Sequence, residues 1–371
     1  MRPFQFAGTR RRFDAVKLLR ALTTMATLLS PVLGQAGPTE LRDATARMQA
    51  IADGVFVILH DDATDEWPHG NTGVIVGDKG VLVVDSTYLP SRAEADIALI
   101  RQVTDKPVRH LVFTHWHFDH NNGTVAYKQA FPEVLVVSER DTARFIDLNG
   151  TWWSRMNAAS DSEKRASLKT KESELAAAKD AASRRRLEQV IRQRKGELEE
   201  LAGLDVVPPD LVFDGGLSLD LGGRRVELRD WGRANSPHDV TAYLPQERIL
   251  FTGDIVVQSP LPYSDASWPV RWIEVLRGIE AMPVVALVPG HGPVQRDHAY
   301  TRQVRELLER VTFRVEAMAR EGKTLEQIQA SLEASDLRKG VWADPALDED
   351  WKVTMTTLIE RAWRGVRGQG G

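Results

Sequence analysis

The sequence predicts an α/β fold, and three observations lead there. Short runs rich in Val, Ile and Leu recur along the chain between Gly, Asp, Asn and Pro. Between these runs lie longer stretches whose apolar residues follow helical spacing. One run, VRHLVFT (Val108 to Thr114), leads straight into THWHFDHNNG (Thr114 to Gly123), a strand-to-helix turn holding three of the nine histidines. Turns at the carboxyl ends of strands are where α/β proteins build their sites.

In chain order, Gly54 to Leu59, Thr72 to Gly77 and Val81 to Val84 read as strands separated by turn residues. Pro90 to Thr104 reads as a helix, and Val108 to Thr114 is a short, β-branched, apolar strand of the buried kind. Asn121, Asn122 and Gly123 supply turn and N-cap residues ahead of a helix from Thr124 to Ala130. Val134 to Val137 and Glu139 to Ile146 repeat strand and helix. Later strands fall at Leu217 to Leu221, Arg224 to Trp231, Val240 to Leu244, Ile249 to Thr252 and Val285 to Val288.

Between the two halves, about Ser160 to Leu201, the chain is dense in Ala, Glu, Lys and Arg. Leu168, Leu175, Leu187, Ile191, Leu198 and Leu201 fall at partly helical spacing, which predicts an inserted pair of amphipathic helices. Their charge reads as a solvated face, with shielding of a site mouth as the alternative. Trp152 and Trp153, Trp268 and Trp272, and Tyr263 read as core or pocket residues, core being the default for the tryptophans. Residues from about Tyr300 to Val366 read as helical, with TLEQIQASLEAS a capped helix. The expected organisation is an export signal over 1–36, a principal domain over 50–300 with the helical insertion at 160–202, and a helical extension over 301–371.

The chain has 371 residues, 42% hydrophobic and 27% charged, enough for a substantial core. A formal net charge of −4 gives no general nucleic-acid surface, so no nucleic-acid partner is expected. The absence of cysteine removes disulfides, thiol nucleophiles, lipid-bearing thiols and thiolate ligands. Arg10, Arg11 and Arg12 precede an apolar stretch, Ala21 to Gly34, too short to span a bilayer. Small residues Gly34 and Ala36 then suit a cleavage site, and TRRRF resembles a twin-arginine export motif. The expected location is periplasmic or secreted, with no stable membrane anchor and with the oligomeric state left open.

A histidine cluster is usually a solvated loop or a set of satisfied core side chains, but this arrangement argues otherwise. His115, His117 and His120 alternate with Trp116 and Phe118, and Asp119 stands just before the last. Imidazoles and a carboxylate on one turn can converge on a point, and that donor set suits zinc, iron or manganese. HWHFDH resembles the HxHxDH signature of the metallo-β-lactamase superfamily. GVLVVDS (Gly80 to Ser86), LFTGD (Leu250 to Asp254) and VPGHG (Val288 to Gly292) follow in the family's order, so the resemblance runs from about Gly54 to about His298.

The resemblance implies an αββα sandwich. It also implies that His115 and His117 bind a first metal, that Asp119 and His120 bind a second, that Asp254 bridges both, and that His291 completes the second. The cofactor implied is a pair of zinc ions, and the missing cysteine excludes the thiolate-ligated site of one subclass. Asp119 would also orient the attacking water or shuttle its proton, and Asp85 would fix the free ring nitrogen of a ligand histidine. One block departs from the pattern: where many members carry G-x-x-H-T-x-G-D, this chain has GRANSPHD (Gly232 to Asp239). Asn235 stands where the third ligand of the first metal would be. Either its amide oxygen is a weak ligand, directly or through water, or His238 bends back past Pro237. Both outcomes give a weaker first site.

The function expected is a zinc-dependent hydrolase of a small amide, lactam or ester, β-lactams included. Two alternatives remain: a mononuclear iron enzyme of the persulfide-dioxygenase kind, and a metal-binding protein with weak or no catalysis. A nucleic-acid phosphodiesterase is disfavoured by charge and by the export signal. Flavin-linked di-iron oxidoreductases are disfavoured by His117, where they typically carry Glu.

Overall fold

The computed structural model describes residues 40–42, 46–60, 69–202, 204, 206–258, 264, 266–333, 337–338, 342 and 347–368, with backbone only for 40–42, 147–164 and 349–350. The expected export signal and Tyr263 lie outside the described residues, as do the side chains of Trp152 and Trp153.

Two sheets make the framework. In the first, β1 (Glu40–Arg42), β2 (Ala46–Ala52), β3 (Val55–His60), β4 (Thr72–Val76) and β5 (Val81–Val84) are antiparallel neighbours in chain order. Helix α1 (Pro90–Val103) crosses over to β6 (Val108–Val112), parallel to β5. After α2 (Phe118–Asn121) and α3 (Thr124–Ala130) comes β7 (Leu135–Glu139). Helices α4 (Arg140–Ala177) and α5 (Ala181–Leu201) then precede β8 (Leu211–Phe213), and both β7 and β8 join in parallel. The second sheet runs β9 (Gly216–Asp220), β10 (Arg225–Asp230), β11 (Val240–Leu244) and β12 (Ile249–Phe251), all antiparallel. Helix α6 (Pro269–Glu280) crosses over to β13 (Ala286–Val288), parallel to β12. Helices α7 (Ala299–Arg320), α8 (Leu325–Glu333) and α9 (Asp348–Val366) follow.

The period of two along each strand assigns its side chains to layers. Leu82 and Val84 of β5 face the second sheet, in one cluster with Val226, Val240 and Phe251. Val81 and Val83 face outward, against Ile97 and Ile100 of α1 and Tyr127 of α3. Strands covered on both faces read as continuous apolar runs, which is why VLVV was legible as a strand. On the far side of the second sheet, Leu250 and Leu287 pack under α6, α7 and α9 through Trp272, Leu276, Val304, Leu307, Leu358 and Ile359. The order is helix, sheet, sheet, helix.

Two parts differ from the sequence expectation. The inserted helices begin at Arg140, because Glu139 caps α4 by accepting from Thr142 N–H and the helix then continues unbroken to Ala177. Asp180 caps α5 in turn, so the insertion is a helical hairpin. It is anchored at its base: Leu201 packs on Tyr88 and Leu89, and Tyr88 donates to Glu197 at 3.1 Å. The expected C-terminal helices are present, and α7 and α9 pack on the second sheet as part of its helical layer. Finally, β1, β2 and β8 were not anticipated; β2 interleaves Arg47 and Gln49 with its apolar residues, and β8 is only three residues long. The capped helix at Thr324 is present, with reciprocal bonds between Thr324 and Gln327 at 3.0 and 3.3 Å.

Trp272 is the largest fully buried side chain in this layer, and its indole donates to Ile255 O at 3.0 Å beneath the Asp254 loop. Trp272→Ala is expected to cost about 3–5 kcal/mol by leaving a cavity, read as a lowered urea midpoint. A loss below about 1 kcal/mol would mean that the layer closes over the gap.

Candidate metal centre

The loops after β5, β6, β12 and β13 and the turn between β10 and β11 meet at one end of the sandwich. Val240 N–H donates to Thr114 O at 2.8 Å and Gly290 N–H to Gly253 O at 2.9 Å, which ties them together. Asp85 follows β5 in the left-handed region, φ 63°, a conformation costly for a residue with a Cβ. Its carboxylate accepts from Thr114 N–H and Thr114 Oγ1, each at 2.8 Å, and lies 2.8 Å from His120 Nδ1. That contact leaves His120 Nε2 directed at the centre.

Two donor groups form there. In the first, His115 Nε2 lies 2.8 Å from His117 Nδ1, and Asp254 Oδ2 lies 3.6 and 4.0 Å from these two atoms. In the second, His120 Nε2 and His291 Nε2 are 3.3 Å apart. Asp119 Oδ2 lies 3.4 and 3.0 Å from them, and Asp254 Oδ1 lies 3.3 and 3.6 Å away. The two oxygens of Asp254 thus face different groups. Donors placed about 2.0–2.2 Å around one tetrahedral ion stand roughly 3.3–3.6 Å from each other, the middle of the observed range.

The residues fit a divalent cation in two further respects. Asp254 Oδ1 is buried with no hydrogen-bond donor aligned on it. The backbone of the His291 loop also presses against that carboxylate, since a Cβ on Gly290 would stand 2.0 Å from Asp254 Oδ1. Gly253, at φ 50°, turns the Asp254 loop where a side chain would meet Thr114.

Electrostatics separate the four histidines. Burial lowers the pKa of His115 well below the usual imidazole value, with His120 and His117 adding to it, and burial also lowers that of His117. Both rings are neutral and offer lone pairs. For His120, burial acts in the same direction, but the carboxylates of Asp254, Asp119 and Asp85 outweigh it and hold its pKa well above the usual value. His291 is raised in the same way, chiefly by Asp254 and Asp119. Burial opposes ionisation of Asp119 and Asp254, yet His120 and its neighbours hold both well below the ordinary carboxylate range. Two ionised carboxylates thus face two protonated imidazoles, and a cation entering the cage would compete with the protons on His120 and His291.

In the GRANSPHD turn His238 has partners of its own. His238 does not bend back toward His115. Its Nδ1 lies 3.3 Å from both oxygens of Asp230 and its Nε2 3.2 Å from Asp141 Oδ2. The Asp230 contact raises its pKa against the effect of partial burial. Asn235 is buried in the same turn, where β11 begins alongside Thr114. Sequence reasoning missed Gly70 and Asn71, which bond to the backbone beside Asp119 and His291; the available signal was a short His-Gly-Asn run leading straight into the apolar strand TGVIV.

Comparison with known proteins places this geometry in context. The profile of the metallo-beta-lactamase superfamily matches residues 65–319. A linear primary-alkylsulfatase from Pseudomonas sp. is 22% identical over 242 residues, which cover 59% of this chain and 40% of that protein. Among solved structures, the stereoselective inverting sec-alkylsulfatase Pisa1 from Pseudomonas sp. superposes with a TM-score of 0.60 at 16% identity, over 87% of this chain and 50% of that one. A metallo-beta-lactamase from Pontibacter korlensis gives a TM-score of 0.46 at 18% identity, over 73% of this chain and 99% of that one. The chain thus spans about half, or less, of the length of the two sulfatases it matches.

Two outcomes are expected. Gly290→Ala should push the Asp254 carboxylate out of both groups and strip the purified protein of metal while it stays folded, checked by elemental analysis beside circular dichroism. Retention of full metal content would show that Asp254 does not hold it. Asp239 gives a pH dependence: burial, with Asp254 and Asp230 adding, raises its pKa from 3.8 to about 7 despite the bond from Ser236 N–H. Between those values the native chain keeps a proton that the unfolded chain has released. Stability from this group is therefore full below the unfolded value and is lost as pH rises toward 7. In metal-free protein, Asp239→Asn should flatten that decline between about pH 4 and about pH 7 in urea titrations; an unchanged slope would assign the decline elsewhere.

Proposed function

We propose, for a chain that belongs to the metallo-β-lactamase superfamily over residues 65–319, that this centre makes it a zinc-dependent hydrolase of small esters, with alkyl sulfates as the foremost class. The observation that carries the reading is Asp254, whose two oxygens each face a separate group of imidazole donors. Imidazole and carboxylate donors in this number suit zinc. Bound zinc would supply Lewis acidity and a water acidic enough to ionise near neutrality.

The chain's own residues provide the rest. Asp119, kept ionised beside His120 and His291, accepts the hydrogen bond of an incoming water and orients its oxygen toward the substrate. Asp85 fixes the tautomer of His120, whose Nδ1 it holds at 2.8 Å. Half-buried aromatic residues flank His117 in the chain. The Trp116 ring is 4.7 Å from that of His117 and 6.1 Å from Phe145, while half-buried Phe118 packs with Tyr88, Leu89 and Leu201. Side chains of this kind suit the hydrocarbon part of an alkyl ester. The likeness to the two alkylsulfatases supports the same class.

Zinc-loaded protein is expected to release sulfate from a linear alkyl sulfate, and Asp119→Ala to lower kcat by about 10²–10⁴ with its zinc retained at the first group. Turnover of a chromogenic cephalosporin without sulfate release would move the substrate to lactams. One iron per chain, with oxygen uptake on a persulfide, would replace hydrolysis by oxygenation.

A further inference from the structure

The loop that carries His291 holds only isolated bridges, His291 with Val257 and Gln295 with Leu287, so its course depends on contacts from other elements. Asn71, which is 5% exposed and lies just before β4, meets that loop with three hydrogen bonds. Its backbone N–H donates to Gly290 O at 2.7 Å, and its side-chain Nδ2 donates to Pro289 O and to Gly292 O, each at 2.9 Å. One residue therefore holds carbonyls on both sides of His291. Its neighbour Gly70 reaches the other half of the same donor group. Gly70 N–H donates to Asp119 O at 3.1 Å, and a Cβ there would lie 2.7 Å from His120 Cε1.

The first donor group has its own brace. Asn121 Nδ2 donates to Trp116 O at 2.9 Å and to His117 O at 2.7 Å, closing the loop that presents His115 and His117. Each donor loop thus has one buried amide bonded to its carbonyls, and the two amides come from different parts of the chain.

We propose that Asn71 is a positioning residue for His291: it sets the second group of donors at metal-binding distance without touching metal or substrate. The inference rests on the reading that the two groups hold zinc. A donor set must be held to about 0.5 Å to keep its affinity, and a turn of glycine, histidine and glycine with a single bridge to Val257 does not do this by itself.

Calorimetric titration of zinc into metal-free protein tests it. Wild type is expected to show two binding events, with His291→Ala removing one and His117→Ala the other. Asn71→Ala should weaken the His291 event tenfold or more and leave the His117 event within about twofold, whereas Asn121→Ala should do the reverse. Asn71→Ser, which keeps one donor, should fall between wild type and Asn71→Ala, and it carries the test if the alanine variant does not fold. Equal weakening of both events by Asn71→Ala or Asn71→Ser would reduce Asn71 to a general tie between the sheets and overturn the proposal, as would no change in either. Wild-type protein that takes up no zinc would overturn the functional reading first, and this inference with it, and that failure shows before any variant is compared.

Discussion

The structure depends on one arrangement: a buried carboxylate, Asp254, set among four imidazoles. An ionised group removed from water is costly unless paired, and here the pairing is shared. His115 and His117 approach one oxygen, His120 and His291 the other. Asp254 sits in a 3-10 turn immediately after β12, while its partners come from loops after β6 and β13. For these loops to meet, both sheets must present the carboxyl ends of these strands at the same end of the sandwich. The parallel pairings of β5 with β6 and of β12 with β13 achieve this, and each requires a helical crossover, α1 and α6.

The packing beneath explains why the geometry can be held. Trp272 of α6 fills the layer directly under the Asp254 loop, and its indole N–H satisfies Ile255 O, which would otherwise be a buried acceptor without a donor. Thr114, between β6 and the histidines, spends both its N–H and its hydroxyl on Asp85. Asp85 then has its second oxygen against His120. Backbone, carboxylate and ring thus form a chain of contacts in which each member restricts the next, so that the ring nitrogen facing the centre is fixed by a strand end on the other side of it.

Much of this was legible in the sequence because local chemistry and tertiary role coincide. HWHFDH follows a strand whose residues are buried on both faces, and Asp254 and His291 sit beside glycines that close approach requires at Gly290 and a left-handed turn requires at Gly253. The strand from Val81 to Val84 was readable for the same reason. Asn71 was not, since its partners are the carbonyls of residues more than two hundred positions away, and an asparagine before a strand looks like any turn residue. The fate of His238 was hidden for a related reason: its carboxylate partners Asp230, Glu139 and Asp141 come from β10, the end of β7 and the start of α4, which only the fold brings together. The helices after residue 300 were read correctly as helices, but amphipathic spacing does not say which sheet a helix will cover.

The two donor groups are unequal in charge, and this follows from where the chain places its carboxylates. The second group contains Asp119 and half of Asp254, with Asp85 directly behind His120. The first contains two neutral imidazoles and the other half of Asp254, and the buried turn beside it offers the uncharged Asn235 in place of a further ionisable donor. Attraction between fixed charges and an entering cation grows as water is excluded, and both groups are buried to a similar degree. The difference in charge is therefore not evened out by solvent. Once His120 and His291 have released their protons, the second group carries the larger negative charge, and the first depends on the shared carboxylate being correctly turned. That places the demand for precision on the loops that hold Asp254 and His291, which are the loops that Gly290, Gly253 and Asn71 constrain.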